Sequence, residues 1–300
     1  MYDLIIIGAG PAGITASVYA VRKGLDFLVI SEDIGGQTAL SGDVANYTGY
    51  QFISGPELAA KFEEHISQYN ISLKEGETVT QTKKTADCIE VTTNKGSYSA
   101  KSLIIASGKR SRQLNVPGEK EFKNRGLTYC ATCDGPLFKA KDVVVIGGGN
   151  SGLDATMGLL KIVNKIYIVN NAPQLTGDKI LIEKVEANSK VTILNSTQVL
   201  EIKGETFLNE IKIKTEAKEQ TLAVEGIFVE IGLIPNCEFA LGIDKNQINE
   251  IKIDPENRTN LEGVFAAGDV TDVIEKQIII AAGEGAKAAL SAFKYLSRVL

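Results

Sequence analysis

Two runs of apolar, mostly β-branched residues lead into glycine-rich turns at separate places along the chain. Residues 3–16 read DLIIIGAGPAGITA, and residues 142–155 read DVVVIGGGNSGLDA. Each run has the length of a buried strand, ends in G-x-G-x-x-G and continues into a helix-forming stretch. The two segments align at a constant offset of 139 residues. The pattern predicts an internal duplicate, in which a strand–turn–helix unit is present in two copies.

The glycines of these turns suggest a function. In such a unit the first glycine makes a tight turn, the second lets the backbone approach a pyrophosphate, and the third allows close helix–strand packing. The exposed amides and the positive end of the helix then hold the phosphates. One such turn is weak evidence, but two in matching contexts predict two dinucleotide-binding domains in an α/β fold. The candidate residues are Gly8, Gly10, Pro11, Ala12 and Gly13 in the first copy and Gly147, Gly149, Asn150, Ser151 and Gly152 in the second.

The copies differ at the end of the following strand, where nucleotide specificity is set. About 20 residues past the glycines, an acid there binds a ribose hydroxyl. The first copy has Glu32 at the end of FLVISED, which we interpret as a ribose ligand in preference to a surface turn acid. The second copy has Asn170 and Asn171, and neither is an acid or a cation. Because an adenosine 2′-phosphate needs a cationic partner, this strand end favours NADH over NADPH, with the Asn170 amide as hydroxyl acceptor.

The C-terminal region completes the first site. Residues 263–269, GVFAAGD, predict a buried strand that ends in Gly268 and Asp269, and KQIIIAAGEGAKAALSAF from residue 276 predicts a helix. The Asp269 carboxylate can accept a hydrogen bond from a ribityl hydroxyl. A helix that starts near Gln277 directs its positive end toward the same ligand, an arrangement that suits a flavin. The alternative is that Asp269 is only a turn residue that caps the helix.

These elements predict one domain interrupted by another. The strand at 263–269 resembles LIIASG at 103–108, so we expect both in the sheet of the first domain. The FAD-binding domain then comprises residues 1–112 and 244–300. Residues 113–243 form a pyridine-nucleotide domain that carries the second glycine motif, and RSRQLNVPG and ALGIDKNQ are the crossings that serve as hinges.

Cys130 and Cys133 lie two residues apart in TYCATCDGPLF. Such a pair can be half of a zinc site, a structural crosslink or a redox couple. The chain has two other cysteines, Cys88 and Cys237, and a single histidine, His65, all isolated in sequence. A closed zinc site needs four ligands, so we favour the redox couple and predict no metal site. Asp134 directly follows the pair and is our candidate acid for a leaving thiolate, although an Asp-Gly turn explains it nearly as well.

Composition excludes several classes of partner. The 300 residues are 44% hydrophobic and 23% charged with a net charge of −5, typical of a globular chain that binds neither nucleic acid nor anionic membrane. The N-terminal residues lack the basic region of a signal peptide. No apolar stretch approaches the ~20 residues of a membrane-spanning helix. We expect a cytoplasmic protein.

With two dinucleotide motifs, CATCDG and FAAGD followed by KQIIIAAGEGAKAAL, the chain resembles the low-molecular-weight thioredoxin reductases over essentially its whole length. DGPLFKAKDVVVIGGGNSG and GIFVEIGLIPN are also similar to the flavoprotein component of alkyl hydroperoxide reductase, which serves a peroxidase and prefers NADH. The first family has a basic cluster after the second strand of its nucleotide domain, where this chain has Asn170, Asn171 and Ala172. This chain shows no counterpart of the thioredoxin-like domains of that flavoprotein component, so we expect transfer to a separate protein.

The resemblance implies a homodimer that binds FAD and a pyridine nucleotide and carries a redox disulfide at Cys130 and Cys133. Electrons are expected to pass from NAD(P)H through FAD and this disulfide to thioredoxin or a thioredoxin-like protein disulfide. Rival hypotheses are a ferredoxin-fed reductase, a reductase of a glutaredoxin-like protein or peroxidase, a dithiol oxidase and a non-enzymatic flavoprotein sensor. Besides the first glycine turn, the expected FAD-binding residues are Glu32, Gly36, Gln37, Asn46, Gly108, Gly268, Asp269, Lys276, Gln277 and Ile278.

Overall fold

The computed structural model describes residues 1–41, 43–216 and 218–299, without the side chains of Asp43, Thr132, Cys133 and Val299. In chain order the strands are β1 Tyr2–Ala9, β2 Phe27–Ile34, β3 Asp43–Val44, β4 Ile53–Ser54, β5 Ser72–Glu75, β6 Val79–Lys84, β7 Ile89–Thr93, β8 Ser97–Ile105, β9 Lys109–Ser111, β10 Leu127–Thr128, β11 Asp142–Ile146, β12 Lys165–Val169, β13 Val191–Leu194, β14 Gln198–Gly204, β15 Leu208–Lys214, β16 Glu219–Ala223, β17 Gly226–Val229, β18 Leu233–Pro235 and β19 Val264–Ala266. The helices are α1 Pro11–Arg22, α2 Gly55–Ser67, α3 Glu119–Phe122, α4 Ala131–Asp134, α5 Asn150–Leu159, α6 Lys179–Glu186 and α7 Ile278–Val299. Short 3₁₀ turns lie at Gly36–Thr38, Gly135–Phe138 and Gly268–Val270.

The chain divides into two compact units. Unit 1 consists of Met1–Arg110 with Ile234–Leu300, and unit 2 of Ser111–Leu233. Residues 234–243, predicted as the end of the inserted domain, therefore belong to unit 1, and ALGIDKNQ is not the crossing. The physical reason is burial, because Cys237 and Ala240 are each 2% exposed and pack in the core of unit 1.

The main sheet of unit 1 is built on β1. Its strands pair in the order β5-β2-β1-β8-β7-β6, and β19 pairs with β8 in parallel through Val264 and Leu103. The expectation that 103–108 and the C-terminal strand share this sheet is therefore confirmed. Successive residues of β1 enter opposite cores: Leu4 and Ile6 face the core that contains α1 and α7, and Ile5 packs in the other. A strand buried on both faces needs a continuous apolar run, which explains LIII.

Unit 2 repeats this construction. Its parallel strands pair in the order β10-β17-β11-β12-β13, and β14, β15 and β16 form a separate antiparallel sheet. Val143 and Val145 of β11 pack in one core with α5, and Val144 and Ile146 pack in another. In both units the strand that precedes the glycine turn is buried on both faces. Among the described residues, no helix is long and apolar enough to cross a membrane.

Candidate functional site

The first glycine turn joins β1 to α1 with almost no free space around two of its glycines. Gly8 has φ +105°, and a Cβ there would lie 2.3 Å from the carbonyl oxygen of Ala106. A Cβ on Gly13 would lie 1.8 Å from the Gly8 carbonyl oxygen, whereas one on Gly10 would meet nothing closer than 3.9 Å. The first and third glycines are therefore required by the fold itself. The second leaves open space beside the backbone.

Helix α1 starts at this open position. Gly10 is its N-cap, Pro11 is its first residue, and within the described residues no side chain caps it and no acid lies in its first turn. Proline suits the first position because it has no N–H to satisfy. The positive end of the helix is consequently available to an anionic ligand.

A cavity of about 600 Å³ in unit 1 opens at this turn. It gathers residues that are far apart in sequence, from the glycine turn, the end of β2, the end of β8 and the start of α7. The predicted residues that line it are Gly8, Gly10, Pro11, Ala12, Glu32, Gly36, Gln37, Gly108, Gly268, Asp269, Lys276, Gln277 and Ile278. Gly13 supports the turn through its contact with Gly8. Asn46 joins the group through Gln277, because its Nδ2 donates a hydrogen bond to Gln277 Oε1 at 3.0 Å.

The rim at the end of β2 is shaped by Glu32, which is exposed, and by the turn that follows. Gly35 and Gly36 have φ +94° and +52°, and a Cβ on Gly36 would lie 3.4 Å from Gly10 Cα. The absence of a side chain at Gly36 keeps the passage between the two turns open. The strand end thus places one carboxylate beside an unobstructed glycine turn, as expected for ribose recognition.

Two polar groups in the cavity wall make no hydrogen bond among the described residues. No described group hydrogen-bonds the half-buried carboxylate of Asp269, and the Thr38 hydroxyl is buried without a partner among the described atoms. Burial raises the pKa of Asp269, against the lowering effect of the cations Lys276 and Lys109. Buried polar groups such as the Thr38 hydroxyl are normally paired, and the oxygens of Asp269 are open to a donor, so both fit a ligand that carries hydroxyl groups, such as the ribityl and ribose parts of FAD. Sequence reasoning missed Thr38, whose only signal is its place after the Gly-Gly turn.

A buried ionic cluster adjoins Asp269. Glu250 Oε1 accepts hydrogen bonds from Lys109 Nζ at 2.8 Å and Lys276 Nζ at 3.0 Å, and Asn246 Nδ2 donates to its Oε2 at 2.7 Å. Burial raises the pKa of Glu250, but these three bonds together outweigh it and hold that pKa below its ordinary value. Lys109 and Lys276 both line the cavity. The sequence identified Lys276, but Glu250 is distant along the chain and carries no motif.

The second glycine turn, between β11 and α5, repeats the first. Gly147 has φ +132°, and its Cβ would lie 2.1 Å from the Glu230 carbonyl oxygen. A Cβ on Gly152 would lie 2.1 Å from the Gly147 carbonyl oxygen. Gly149 is the N-cap of α5, and a Cβ there would meet nothing closer than 3.8 Å. Unit 2 therefore presents the same kind of open helix start as unit 1.

Polar side chains surround the start of α5. The Asn150 side-chain oxygen accepts the Asp178 N–H at 2.7 Å, and the Ser151 hydroxyl donates to the Glu230 carboxylate. Burial raises the pKa of Glu230, while the bonds from Ser151 and from the Ala131 N–H lower it in part. Sequence reasoning did not single out Glu230. Its signal is positional, because it directly follows β17.

Asn170 supports the loop after β12. It is 4% exposed, and its Nδ2 donates to the carbonyl oxygens of Gln174 at 2.9 Å and Ala172 at 3.2 Å. Its Oδ1 accepts the Ala172 N–H at 3.3 Å. The amide is thus largely engaged inside the loop, and the exposed side chain at this strand end is that of Asn171.

The C-x-x-C segment begins two residues after β10, at Cys130, and continues into the short helix α4. Cys130 is disulfide-bonded, whereas Cys88 and Cys237 are free. The side chain of Cys133 lies outside the described residues. Asp134 accepts a hydrogen bond from the Thr128 hydroxyl, which in turn accepts the Cys130 N–H at 3.1 Å. No group of three metal-binding side chains occurs among the residues that the structure describes.

Comparisons with known proteins agree with this arrangement. The family of pyridine nucleotide-disulphide oxidoreductases matches residues 2–285. A relative from Bacillus subtilis (strain 168), named NADH dehydrogenase, is 40% identical over 99% of this chain and 59% of its own length. A component of alkyl hydroperoxide reductase in Staphylococcus aureus (strain MRSA252) is 41% identical over 99% of this chain and 59% of its own length. The solved structure of Lactococcus lactis thioredoxin reductase is 34% identical, covers 99% of this chain and 100% of that one, and gives a TM-score of 0.87.

These similarities confirm the resemblance to low-molecular-weight thioredoxin reductases, the similarity to the alkyl hydroperoxide reductase component, and the α/β fold with two dinucleotide-binding domains. The chain spans about three fifths of the length of the curated relatives it matches. Proteins of the matching family use FAD and a pyridine nucleotide. The chain belongs to the pyridine nucleotide-disulphide oxidoreductase family.

Proposed function

We propose that this protein is an FAD-dependent dithiol–disulfide oxidoreductase. It passes electrons from a reduced pyridine nucleotide through FAD and the Cys130–Cys133 pair to the disulfide of a small protein. The observation that carries the proposal is the unpartnered Asp269 carboxylate in a cavity that also contains an open glycine turn. The disulfide-bonded Cys130 in unit 2 supplies the second redox group.

FAD is held by unit 1. Gly8, Gly10 and the start of α1 take its pyrophosphate, and Glu32 takes a ribose hydroxyl. Asp269 accepts a ribityl hydroxyl, and the start of α7, with Gln277 fixed by Asn46, faces the flavin end of the ligand. Bound FAD supplies two-electron transfer between nicotinamide and disulfide.

The disulfide chemistry is carried by Cys130, Cys133 and Asp134. As the resemblance implies, Cys133 faces the flavin and Cys130 attacks the partner disulfide. Thiolates are the nucleophiles and leaving groups of disulfide exchange. A nearby acid that protonates the departing sulfur speeds the exchange, and Asp134 is the carboxylate next to the pair.

The electron donor is NADH in preference to NADPH. The second glycine turn takes the pyrophosphate through Gly147, Gly149, Ser151 and Gly152. At the strand end, Asn171 is exposed and uncharged, so no cation balances a 2′-phosphate. The name NADH dehydrogenase of the Bacillus subtilis relative supports the same donor. Asn170 contributes by shaping the loop. Its Oδ1 already accepts the Ala172 N–H, and the second lone pair of this oxygen is the acceptor available to a ribose hydroxyl.

The acceptor is thioredoxin or a thioredoxin-like protein disulfide. The Lactococcus lactis neighbour is a thioredoxin reductase, and the Staphylococcus aureus relative is a component of alkyl hydroperoxide reductase. Both names point to a small redox protein, and the second allows a partner that feeds a peroxidase. Following the resemblance, we place the enzyme in the cytoplasm as a homodimer.

An anaerobic titration followed by flavin absorbance tests this function. The purified protein is expected to contain one FAD per chain and to take up about four electrons, two at the flavin and two at the disulfide. Parallel titrations with NADH, NADPH and reduced ferredoxin identify the donor, and bleaching by ferredoxin alone would replace the nucleotide-dependent mechanism.

A cysteine variant tests the disulfide separately. Cys133→Ser should keep its FAD and its reduction by the donor but lose reduction of the protein disulfide. Cys88→Ser is the matched control, because Cys88 is a free cysteine of unit 1, and it should behave like the parent. Turnover of the partner by Cys133→Ser at the parental rate would show that the pair is not the redox couple.

A further inference from the structure

Thr128 is a buried hydroxyl residue two positions before Cys130, the first cysteine of the C-x-x-C segment. It is 6% exposed and ends β10, where it pairs in register with Phe228 of β17. Its backbone is therefore fixed by the central sheet of unit 2, in contrast to the short helix that follows. A single hydroxyl on a fixed strand contacts two parts of the segment that follows it.

When Asp134 is ionised, the two hydrogen bonds of Thr128 have a determined direction. The Cys130 N–H can only donate, and it donates to Thr128 Oγ1 at 3.1 Å. The ionised carboxylate can only accept, so the hydroxyl proton goes to Asp134 Oδ2. A proton that then binds at Oδ1 leaves this hydrogen bond in place.

We propose that Thr128 is a positioning residue of the disulfide reaction, which fixes the Asp134 carboxyl so that proton transfer takes place at Oδ1. The inference rests on the proposed function and adds a residue to it. Asp134 is otherwise on a four-residue helix, α4, whose own hydrogen bonds hold a side chain only weakly. The strand supplies the rigidity that the helix lacks.

Electrons and protons balance in the reductive step. The S–S bond would break on accepting two electrons, for which bound FAD would be the source with release of its own proton to solvent, and each sulfur would keep one electron pair. One sulfur takes a proton from Asp134 Oδ1 and becomes a thiol, while the other remains a thiolate or is protonated by solvent. Solvent returns a proton to Asp134. Without Thr128 the carboxyl can rotate, so the proton is less often presented in the productive direction.

Thr128→Val tests the role, because valine has the shape of threonine without the hydroxyl. We expect an about tenfold slower reduction of the protein disulfide, part of the 10²–10⁴-fold that a positioned acid supplies. Flavin reduction by the nucleotide should not change. Thr128→Ser should restore the rate, and Thr197→Val, which removes another buried hydroxyl of unit 2, should match the parent.

A double-variant cycle separates positioning from folding. If Thr128 acts through Asp134, adding Thr128→Val to Asp134→Asn should cause no further loss of rate. A parental rate in Thr128→Val, or a further loss in the Asp134→Asn background, would overturn the proposal. Thr128→Ala provides the same test should the valine variant fail to fold.

A measurement that needs no electron donor other than a small dithiol distinguishes this inference from the proposed function. Reduction of the Cys130 disulfide by dithiothreitol needs neither nucleotide nor protein partner. A parent enzyme that never reduces a protein disulfide would refute the proposed function. In that case the rate of reduction by dithiothreitol still decides the role of Thr128: Thr128→Val should slow it in the parental background and not in Asp134→Asn, and a parental rate would refute the role.

Discussion

The two glycine turns of this protein have nearly the same geometry although they lie 139 residues apart. In both, the third glycine packs on the carbonyl of the first, at 1.8 Å in unit 1 and 2.1 Å in unit 2 for a hypothetical Cβ. A hydroxyl one turn later repeats as well: Ser17 and Thr156 each donate to the carbonyl of the third glycine at 2.8 Å. The duplication therefore preserves the packing of the turn in detail.

The surroundings of the two turns differ. The carbonyl that touches the first glycine belongs to Ala106 in unit 1 and to Glu230 in unit 2. Near the end of the following strand, unit 1 has the exposed Glu32, within β2, and unit 2 has the buried Asn170, just after β12. Glycine packing thus leaves an open helix start in both units, and we propose that the residues at the neighbouring strand ends decide which dinucleotide binds there.

The largest expected effect is the loss of the turn itself. Gly13→Ala and Gly152→Ala each place a Cβ about where a backbone oxygen lies, and forced overpacking of this kind costs about 1–3 kcal/mol. Gly13→Ala should therefore lose FAD, whereas Gly152→Ala should keep FAD but lose reduction by the nucleotide. Gly158→Ala is the control, because a Cβ there meets nothing within 4 Å and Gly158 belongs to neither glycine turn; its melting temperature should not fall below that of the parent. Flavin content measures the binding of FAD, and thermal melting measures the stability of each variant. Equal loss of FAD in Gly13→Ala and Gly152→Ala would contradict separate sites.

The next effect concerns the ionic cluster of unit 1. Glu250→Gln leaves Lys109 and Lys276, 10% and 24% exposed in their side chains, without their carboxylate. We expect a loss of about 2–3 kcal/mol in the free energy of unfolding, somewhat below that of a fully buried pair. Since the pKa of Glu250 is lowered, this contribution is complete at neutral pH and disappears as the pH falls through the folded-state pKa.

Denaturant unfolding at several pH values measures the contribution of Glu250. Glu64→Gln is the control, because Glu64 pairs with Lys61 on the surface with side-chain exposures of 63% and 56%. Its effect should be much smaller, because exposed ion pairs contribute little to stability. Equal effects of the two variants would mean that the cluster contributes no more than a surface pair.

The sequence predicts the turns better than it predicts their surroundings, for a physical reason. The glycine motifs, the strands before them and the placement of β19 beside β8 follow from local patterns of apolar residues and glycine. Glu250 contributes through contacts with residues distant in sequence. Thr38 contributes through its place in the wall of a cavity that distant segments form. Thr128 contributes through the direction of one hydrogen bond. Only the folded chain brings such groups together. For the same reason, the prediction from sequence places the crossing from unit 2 back to unit 1 too late, at ALGIDKNQ, whereas unit 1 resumes at Ile234. Burial of Cys237 and Ala240 in unit 1 leaves no periodic signal in the sequence.

A smaller effect is expected at the strand end of unit 2. Asn171→Arg adds a cation where a 2′-phosphate would lie, and one charge-assisted hydrogen bond contributes about 1.5 kcal/mol, or roughly tenfold. The ratio of kcat/KM for NADPH to that for NADH should rise by about this factor. Asn171→Gln lengthens the side chain without charge and should leave the ratio unchanged. A parent that reduces its flavin faster with NADPH at equal low concentrations would place the phosphate-binding cation elsewhere.

The smallest effect is expected for Glu230, the acidic residue beside the second glycine turn. Burial raises the pKa of Glu230, so the folded protein binds its proton more tightly than the unfolded chain does. The contribution of Glu230 to stability is therefore most favourable at a pH below its unfolded-state pKa and is lost as the pH rises through its folded-state pKa. This pH dependence is opposite to that of the contribution of Glu250. Glu230→Gln removes this penalty and still accepts the Ser151 hydrogen bond, so it should stabilise the protein at neutral pH by about 0.5 kcal/mol or less. The gain should vanish at a pH below the unfolded-state pKa of glutamate, and Glu205→Gln, on an exposed side chain, should show none at any pH. A gain that persists at low pH would mean that Glu230 acts through packing, and the charge difference between the two turns would then have no energetic consequence for folding.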